Sequence, residues 1–266
     1  MHFLTAKSGV KWHYETFGQG EALVFIHGFG ASVRWWQNQK TFIQENYSTL
    51  VVDLPGHGGS SWQPITLQAM ALDLRQILDA VEFSHVNVVA SSFGGLLALE
   101  LYRLIPDRIS RISFVGSLPK FARSEAYPAG LDIENIRKLS HQFQGDYASV
   151  LDIFFRSLFT VQERGLPSFE KVKELRATDP VPQREALLVF LEILEKTDLR
   201  DRLSSVVCPV QYITGEEDYI CPKEIMNWIQ EHVPNARLDF IPGCGHLPFL
   251  TKSDQYNDLL ENFLIN

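Results

Sequence analysis

The stretch VVASSFGGLLAL at residues 88–99 reads as an apolar strand, a tight turn with two serines, and the start of an apolar helix. On both sides of it, strand-like runs alternate with helical ones. This alternation predicts an α/β protein with a mostly parallel sheet and helices on both faces. The expected strands are 8–17, 22–28, 48–52, 85–90, 109–117, 207–213 and 236–241, and the expected helices are 33–44, 66–80, 93–105, 184–196, 222–232 and 253–264.

The alternation stops after the strand at 109–117 and resumes at residue 184. Between these points the chain holds short helical patterns that glycines and prolines interrupt. We therefore predict one domain over residues 1–266, with a helical lid at 117–183 inserted into it. Functional sites of open α/β sheets lie at the carboxyl ends of the strands, so the loops after the strands are the place to look for chemistry.

The turn at residues 90–95 predicts a nucleophile. In the pattern G-x-S-x-G, a sharp strand-to-helix turn exposes a serine oxygen and needs small residues two positions before and after that serine. Ser92 has Ala90 and Gly94 at these positions, whereas Ser91 would have Phe93. Ser92 is therefore the predicted nucleophile, and an inert serine in an ordinary tight turn is the alternative.

A serine nucleophile needs a histidine base and a carboxylate that orients the histidine, and in this kind of fold they follow the serine in the order acid, then histidine. GEEDYICP after the strand at 207–213 offers Asp218, and GCGH after the strand at 236–241 offers His246. We predict these two residues as the partners of Ser92, with Glu217 as the second choice for the acid. A loop carboxylate that caps the next helix is the alternative for Asp218.

The segment HGFG at 27–30 follows the buried strand at 22–28 and predicts an oxyanion hole. A tetrahedral intermediate needs two backbone N–H donors, one from the residue after the nucleophile and one from this loop. These donors are expected at Phe93 and Phe29. His27 is expected to hold the loop by hydrogen bonds, and a plain turn is the alternative.

Composition limits the partners. The 266 residues carry a net charge of −8, which argues against nucleic acid as the main partner. The sequence contains no run of 18 apolar residues, so it predicts no membrane span, and the N-terminal residues do not resemble a signal peptide. Three scattered cysteines form neither a disulfide framework nor a zinc motif, and Cys221 and Cys244 are expected to be packing residues. We expect a cytoplasmic monomer that uses no metal or cofactor.

The segments HGFG, DLPGHGGS, ASSFGG, GEEDYICP and GCGH occur in the order and spacing of the α/β-hydrolase superfamily, which the chain resembles along nearly its whole length. This resemblance implies a serine esterase-like fold. DLPGHGGS, residues 53–60, would then be a structural loop. Other serine hydrolases of the fold remain open: a general carboxylesterase, a thioesterase or a C–C bond hydrolase. A ligand-binding receptor on a hydrolase scaffold is the alternative outside enzymes.

A narrower resemblance comes from LEILEKTDLRDRLSSVVCPVQYITGEED and from the Ser-Leu-Pro that follows strand 109–117, which are similar to the pimeloyl-[acyl-carrier protein] methyl ester carboxylesterases of biotin synthesis. It implies hydrolysis of a methyl ester to an acid and methanol, on an acyl chain presented by acyl-carrier protein. The substrate-contacting residues implied are Phe29, Ser92, Phe93, Phe154, Phe155, Arg156, Ser157, Leu158 and His246.

The chain departs from that family at three places. Ala90 replaces the first glycine of the turn, and Phe29 stands where tryptophan is common. The arginines that the resemblance associates with carrier-protein docking align with Ser149, Ile153, Leu166 and Glu170, while other basic residues lie nearby at Arg156, Arg164, Lys171, Lys173 and Arg176. The lid also carries an apolar stripe that is expected mostly to pack within the lid and partly to line an acyl tunnel: Phe143, Tyr147, Val150, Leu151, Phe154, Phe155, Leu158 and Phe159.

Overall fold

The centre of the protein is an eight-stranded sheet, which a computed structural model shows; the structure describes residues 2–125, 127–128, 130–233 and 235–265. The strands are β1 (His2–Thr5), β2 (Lys11–Phe17), β3 (Glu21–Ile26), β4 (Tyr47–Val52), β5 (Val86–Ser91), β6 (Ile109–Val115), β7 (Val210–Gly215) and β8 (Arg237–Ile241). Their order in the sheet is β1-β2-β4-β3-β5-β6-β7-β8. β1 and β2 pair antiparallel to their neighbours, and the six strands from β4 to β8 run parallel. The predicted mostly parallel sheet is confirmed.

Helices cover the sheet: α1 (Gln37–Ile43), α2 (Leu67–Ala80), α3 (Phe93–Leu104), α4 (Ile133–Phe143), α5 (Tyr147–Ser157), α6 (Pro167–Thr178), α7 (Arg184–Lys196), α8 (Arg200–Ser204), α9 (Glu224–His232), α10 (Pro248–Thr251) and α11 (Ser253–Ile265). Successive residues of a strand point to opposite faces of the sheet, and every residue of β5 and β7 is buried. Both faces of the sheet are therefore covered at its centre. No helix among the described residues is long and apolar enough to cross a membrane.

The N-terminal strand prediction is partly wrong. The expected strand at 8–17 begins only at Lys11, because the preceding residues turn: Gly9 adopts φ +90° and donates its N–H to the carbonyl of Ala6. The strand before this turn, β1, was not predicted from the sequence. It is four residues long and mostly exposed, so its side chains carry little of the apolar pattern by which buried strands are found.

Two helical boundaries and one strand boundary also differ from the prediction. The expected helix at 33–44 is a 3₁₀ turn at Val33–Trp36 followed by α1, and its start is capped by the hydroxyl of Ser32. The helix expected at 222–232 begins at Glu224. β7 begins at Val210, after a proline that has no N–H to give to a sheet.

The insertion at 117–183 follows β6 and contains α4, α5 and α6. Asp132 and Asp146 cap the first two of these helices with their carboxylates. α4 packs on both α5 and α7, so the insertion lies over the sheet rather than away from it. Residues of the insertion line the cleft that opens at Ser92, which is described next.

Candidate active site

Ser92 sits in a strained turn between β5 and α3. Its backbone adopts φ +51° and ψ −119°, a conformation that a non-glycine residue holds at a cost of about 1–3 kcal/mol and only when its surroundings impose it. The Ser92 N–H donates to the carbonyl of Val115 at 2.9 Å. Its own carbonyl accepts from the Gly95 N–H at 2.9 Å and from the Ser117 hydroxyl at 2.8 Å. These three bonds hold the turn at the carboxyl end of the sheet.

Neighbouring backbone approaches this turn closely. A Cβ atom on Gly94 would lie 2.7 Å from the carbonyl oxygens of both Ile26 and His27. A Cβ atom on Gly28 would lie 2.9 Å from the Cβ of Ser92. Only glycine fits at these two positions without displacing the strand and loop around the serine.

The alanine at position 90 and the second serine have separate explanations. Ala90 is fully buried within β5, where it pairs with Ile26 of β3 and Phe114 of β6, so the strand accommodates its methyl group. Ser91 is also buried, and its hydroxyl has no hydrogen-bond partner among the described residues. Ser92 is partly exposed and lines a cleft. Ser91 also lines the small cavity, but Ser92 is the more exposed of the two serines and lines both cavities, so it is the better placed to meet a ligand.

Asp218 and His246 meet across two loops. Asp218 follows β7 and His246 follows β8, and the Nδ1 of His246 lies 2.8 Å from the Oδ2 of Asp218. The other carboxylate oxygen, Oδ1, accepts the backbone N–H groups of Ile220 at 2.8 Å and Cys221 at 3.0 Å. All three hydrogen bonds join buried residues, which fixes the orientation of the imidazole.

The neighbouring acid that served as second choice is placed differently. Glu217 is exposed, as is Glu216, while Asp218 is 3% exposed and bonded to the histidine. The alternative role of Asp218 as a helix cap is not what the structure shows, because α9 begins at Glu224 and its N-cap residue, Lys223, makes no side-chain hydrogen bond. The N–H groups that Asp218 accepts belong to the loop before that helix.

The loop that carries Phe29 is held by buried histidines. Burial lowers the pKa of His57 to about 3, so the ring is neutral, and its Nε2 accepts the N–H of Gly30 at 3.2 Å. Its Nδ1 pairs with the carbonyl of Pro55 at 3.1 Å. Burial also lowers the pKa of His27, whose Nε2 accepts the N–H of Leu54 at 2.9 Å. The loops at 27–30 and 53–60 therefore support each other.

The two predicted oxyanion donors are Phe93, which follows Ser92 in the chain, and Phe29, which lines the same cavities as Ser92. Phe93 is the first residue of α3, so its N–H has no acceptor within the helix and lies at the positive end of the helix dipole. Phe29 lies beside Gly30, whose N–H is already fixed by His57. The ring of Phe93 is fully buried and stacks on Phe190, so only its backbone is placed to meet a ligand.

Two cavities of unequal size open at Ser92. The small one has a volume of about 20 Å³ and is lined by Trp35, Leu158, His246 and Phe249 among others. The large one has a volume of about 630 Å³ and is lined mainly by apolar residues of the insertion and α7. Phe29 and Phe154 line both cavities and separate them. A group of a few atoms fits the small side, whereas a long chain fits the large side.

The segment of α5 implied as substrate-contacting divides into two groups. Phe154 and Ser157 line the large cavity, and Phe154 and Leu158 line the small one. Phe155 packs instead against Trp35, edge to face, and Arg156 is exposed; neither lines the two cavities. Of the apolar stripe in the lid, Val150, Phe154 and Leu158 reach a cavity, while the buried residues Phe143, Leu151, Phe155 and Phe159 pack within the fold.

One trio in the site has the composition of a metal site. Potential ligand atoms of Asp218, Cys221 and His246 lie within 4.8 Å of one another. The Asp218 carboxylate and the His246 ring are already bonded to each other, and burial raises the pKa of the Cys221 thiol well above its ordinary value. These contacts favour a protonated thiol beside an acid–base pair rather than a set of metal ligands.

Comparison with known proteins accounts for this arrangement. Residues 23–259 match the model of a family described as "Alpha/beta hydrolase family". The chain belongs to this family. The predicted family is thus confirmed. Two similar sequences are named pimeloyl-[acyl-carrier protein] methyl ester esterase: one from Nitrosomonas europaea is 32% identical over 92% of this chain and 96% of its own, and one from Vibrio parahaemolyticus is 31% identical over 94% and 97%.

Solved structures agree with this α/β hydrolase fold. An esterase from Exiguobacterium antarcticum superposes with a TM-score of 0.91 at 23% identity, covering 99% of both chains. A bromoperoxidase from Bacillus anthracis superposes with a TM-score of 0.88 at 28% identity, covering the whole of both chains. These likenesses extend along the entire chain.

Sequence reasoning missed one buried carboxylate beside the site. Glu163 lies in the insertion and receives hydrogen bonds from Cys244 and Gly245, which precede His246 directly. The only sequence signal was a glutamate among apolar lid residues, which is indistinguishable from an exposed helical acid. Cys244, expected to be a packing residue, is buried as expected but also donates a hydrogen bond to this carboxylate.

Proposed function

We propose that this α/β hydrolase is a serine carboxylesterase that hydrolyses the methyl ester of pimeloyl-[acyl-carrier protein], releasing methanol. Relatives that are 32% and 31% identical over nearly the whole chain carry this activity in their names. The observation that carries the proposal is the pair of unequal cavities at Ser92. A methyl ester places one carbon on the alcohol side of its carbonyl and a long chain on the acyl side.

The proposed reaction uses the Asp218–His246 contact and the cavity that Ser92 and His246 both line. Ser92 attacks the ester carbonyl while the Nε2 of His246 takes the hydroxyl proton, and Asp218 holds the ring through Nδ1 and stabilises its charged form. The N–H groups of Phe29 and Phe93 bind the negative oxygen of the intermediate. His246 then returns the proton to the departing methanol. A water molecule repeats the sequence, which frees the acid and restores Ser92.

The small cavity suits both halves of this cycle. A site needs about 10–15 Å³ to hold one water molecule, so a cavity of about 20 Å³ admits a methyl group or a single water. Ser92 and His246 supply the polar partners that such a water needs. Methanol departure would thus empty the space from which the second attack comes.

The large cavity suits a chain that continues outward. Its apolar walls include Leu131, Leu139 and Ile153, and its rim carries Arg123, Asp132 and Lys138. An acyl chain of seven carbons is long enough to lie along such walls, with its far end toward the rim. Docking of an acyl-carrier protein, a monomeric state and a cytoplasmic location are further parts of the proposal that rest on the sequence alone.

The test is complementation of a biotin auxotroph that lacks its pimeloyl-[acyl-carrier protein] methyl esterase. Wild type and Ser92→Ala are expressed at matched levels, and we expect growth without biotin from the wild type only. In parallel, both purified proteins are assayed on short p-nitrophenyl esters. Failure of the wild type to support growth, together with rapid Ser92-dependent ester hydrolysis, would keep the mechanism and refute the substrate.

The same assay separates an enzyme from a receptor on this scaffold. An enzyme releases p-nitrophenol steadily over many turnovers, whereas a receptor that retains the triad releases a single burst and stops. The partly exposed serine beside a cleft of about 630 Å³ favours repeated turnover, because substrate and product share an open path.

A further inference from the structure

Glu163 is a buried carboxylate without a catalytic assignment. It is fully buried at the start of a short 3₁₀ turn in the insertion, between α5 and α6. Its Oε2 accepts the backbone N–H of Thr160 and that of Gly245, each at 2.8 Å. Its Oε1 accepts the thiol of Cys244 at 3.1 Å and the hydroxyl of Thr251. Four donors therefore surround one carboxylate.

These donors are all neutral, and no ion pair to Glu163 is present in the part of the chain that the structure describes. A buried charge without a cation is costly unless hydrogen bonds replace its water, and two bonds to each oxygen do so here. Burial, followed by the nearby charge of Glu163, raises the pKa of the Cys244 thiol, which keeps its proton available for donation. The carboxylate and the thiol are thus a matched acceptor and donor.

The four donors to Glu163 come from two parts of the fold, the insertion and the segment that follows β8. Thr160 belongs to the insertion, whereas Cys244 and Gly245 belong to the loop after β8 and Thr251 ends α10. Glu163 is 81 residues from Cys244 in the chain and 88 residues from Thr251. The carboxylate therefore joins the insertion to the loop that carries the predicted base.

A second bond lies directly beside the first. The N–H of His246 donates to the carbonyl of Leu158 in the insertion at 2.8 Å. A Cβ atom on Gly245 would lie 2.5 Å from that carbonyl oxygen, so the loop and the insertion are in close contact. The backbone of the base is consequently held by the insertion at two successive N–H groups, those of Gly245 and His246.

We propose that Glu163 is a positioning residue for the ester hydrolysis, holding the Cys244–His246 loop so that the imidazole stays between Asp218 and Ser92. The inference rests on the proposed role of His246 as the base. The insertion then does more than cover the cleft, because it supplies the anchor for a catalytic group on the core. Glu163 touches no substrate, and its effect passes through Gly245 to His246.

The experiment compares Glu163→Gln with Asp73→Asn. Asp73 is likewise a buried carboxylate with neutral donors, from Ser8 and Trp12, but it lies on α2 away from the cleft. Each variant is assayed on p-nitrophenyl butyrate after titration of its reactive serines with a fluorophosphonate, and its melting temperature is measured. Titration gives kcat per competent site, so partial unfolding does not count as loss of rate.

Glu163→Gln puts an NH₂ group where two donors now converge, so one pair of bonds must break. A shift of a catalytic group by about 1 Å costs about 10²-fold in rate, so we expect kcat per titrated site to fall by about 10- to 100-fold with KM changed less than about threefold. Asp73→Asn should lower the melting temperature and leave kcat per titrated site within about twofold of the wild type.

Three further results decide between the inference and its alternatives. If Glu163→Gln yields no titratable sites, Thr251→Val is measured in its place, because it removes only one of the four donors to Glu163. The kcat per titrated site of folded Thr251→Val should then fall several-fold, and an unchanged kcat overturns the inference. If the wild type is active and Glu163→Gln has a normal kcat, the inference about Glu163 is overturned and the proposed function stands. A wild type without esterase activity overturns the proposed function and this inference together.

Discussion

Replacement of Asp218 by asparagine is the sharpest test of the triad, because the structure dictates how the new side chain must lie. The Oδ1 of Asp218 accepts two backbone N–H groups, from Ile220 and Cys221. An NH₂ group at that place would face two donors and leave both N–H groups buried without acceptors, at about 1–3 kcal/mol each. The asparagine oxygen therefore stays there, and its NH₂ faces the Nδ1 of His246.

That orientation reverses the proton on the imidazole. With an NH₂ at 2.8 Å in place of the carboxylate oxygen, Nδ1 must accept, so the proton moves to Nε2, the atom that should take the proton of Ser92. The corresponding substitution in a serine protease triad lowers kcat by about 10⁴-fold. At about 1.36 kcal/mol for each tenfold change, this is about 5.5 kcal/mol of transition-state stabilisation.

The assay is steady-state hydrolysis of p-nitrophenyl butyrate, with Glu217→Gln as the matched control. Glu217 is the adjacent carboxylate but is exposed, so its variant should retain wild-type kcat within about twofold. We expect a melting temperature for Asp218→Asn close to that of the wild type, because the two bonds to Oδ1 persist. A kcat within tenfold of the wild type would refute the assignment of Asp218 and the proton argument with it.

Three other predictions follow from single contacts. Gly94→Ala places a methyl group 2.7 Å from the carbonyl of His27, so we expect a loss of about 1–3 kcal/mol in the free energy of unfolding, measured by urea denaturation; unaltered stability would contradict the close approach. His57, with its pKa lowered from 6.5 to about 3, makes the folded state lose stability as the pH falls below about 6.5, because only the unfolded chain binds the proton there. His57→Gln keeps an acceptor for Gly30 and should flatten the fall in melting temperature between pH 7 and pH 5; an unchanged slope would rule out His57 as its source. Leu158→Ala enlarges the small cavity and should raise the ratio of kcat/KM for propyl over methyl hexanoate by about tenfold, since a CH₂ group in an apolar pocket is worth about 1–3 kcal/mol; Leu139→Ala, in the large cavity, should leave that ratio unchanged, and an equal shift in both variants would contradict the assignment of the two sides.

Elements with a strong local pattern were predicted well. The strand at β5, the turn at Ser92 and α3 follow from an apolar run, small residues at fixed spacing and a second apolar run with helical period. β1 and the start of β2 were not found, because a short exposed strand and a turn at Gly9 leave no such pattern. The boundaries of α1 and α9 shifted because a 3₁₀ turn and the first residues of a helix leave little trace in the apolar pattern.

What the sequence by itself determined is the set of chemical groups and their order: a serine in a strained turn, then an acid and a histidine after two later strands of a parallel sheet. Parallel strands end at one edge, so order along the chain becomes proximity there. Only the tertiary structure decided that Asp218 rather than Glu217 reaches His246, that the two cavities differ about thirtyfold in volume, and that Glu163 binds the loop that carries His246. Each of these depends on contacts between segments far apart in the chain, which leave no local pattern because their geometry arises only when the core is packed.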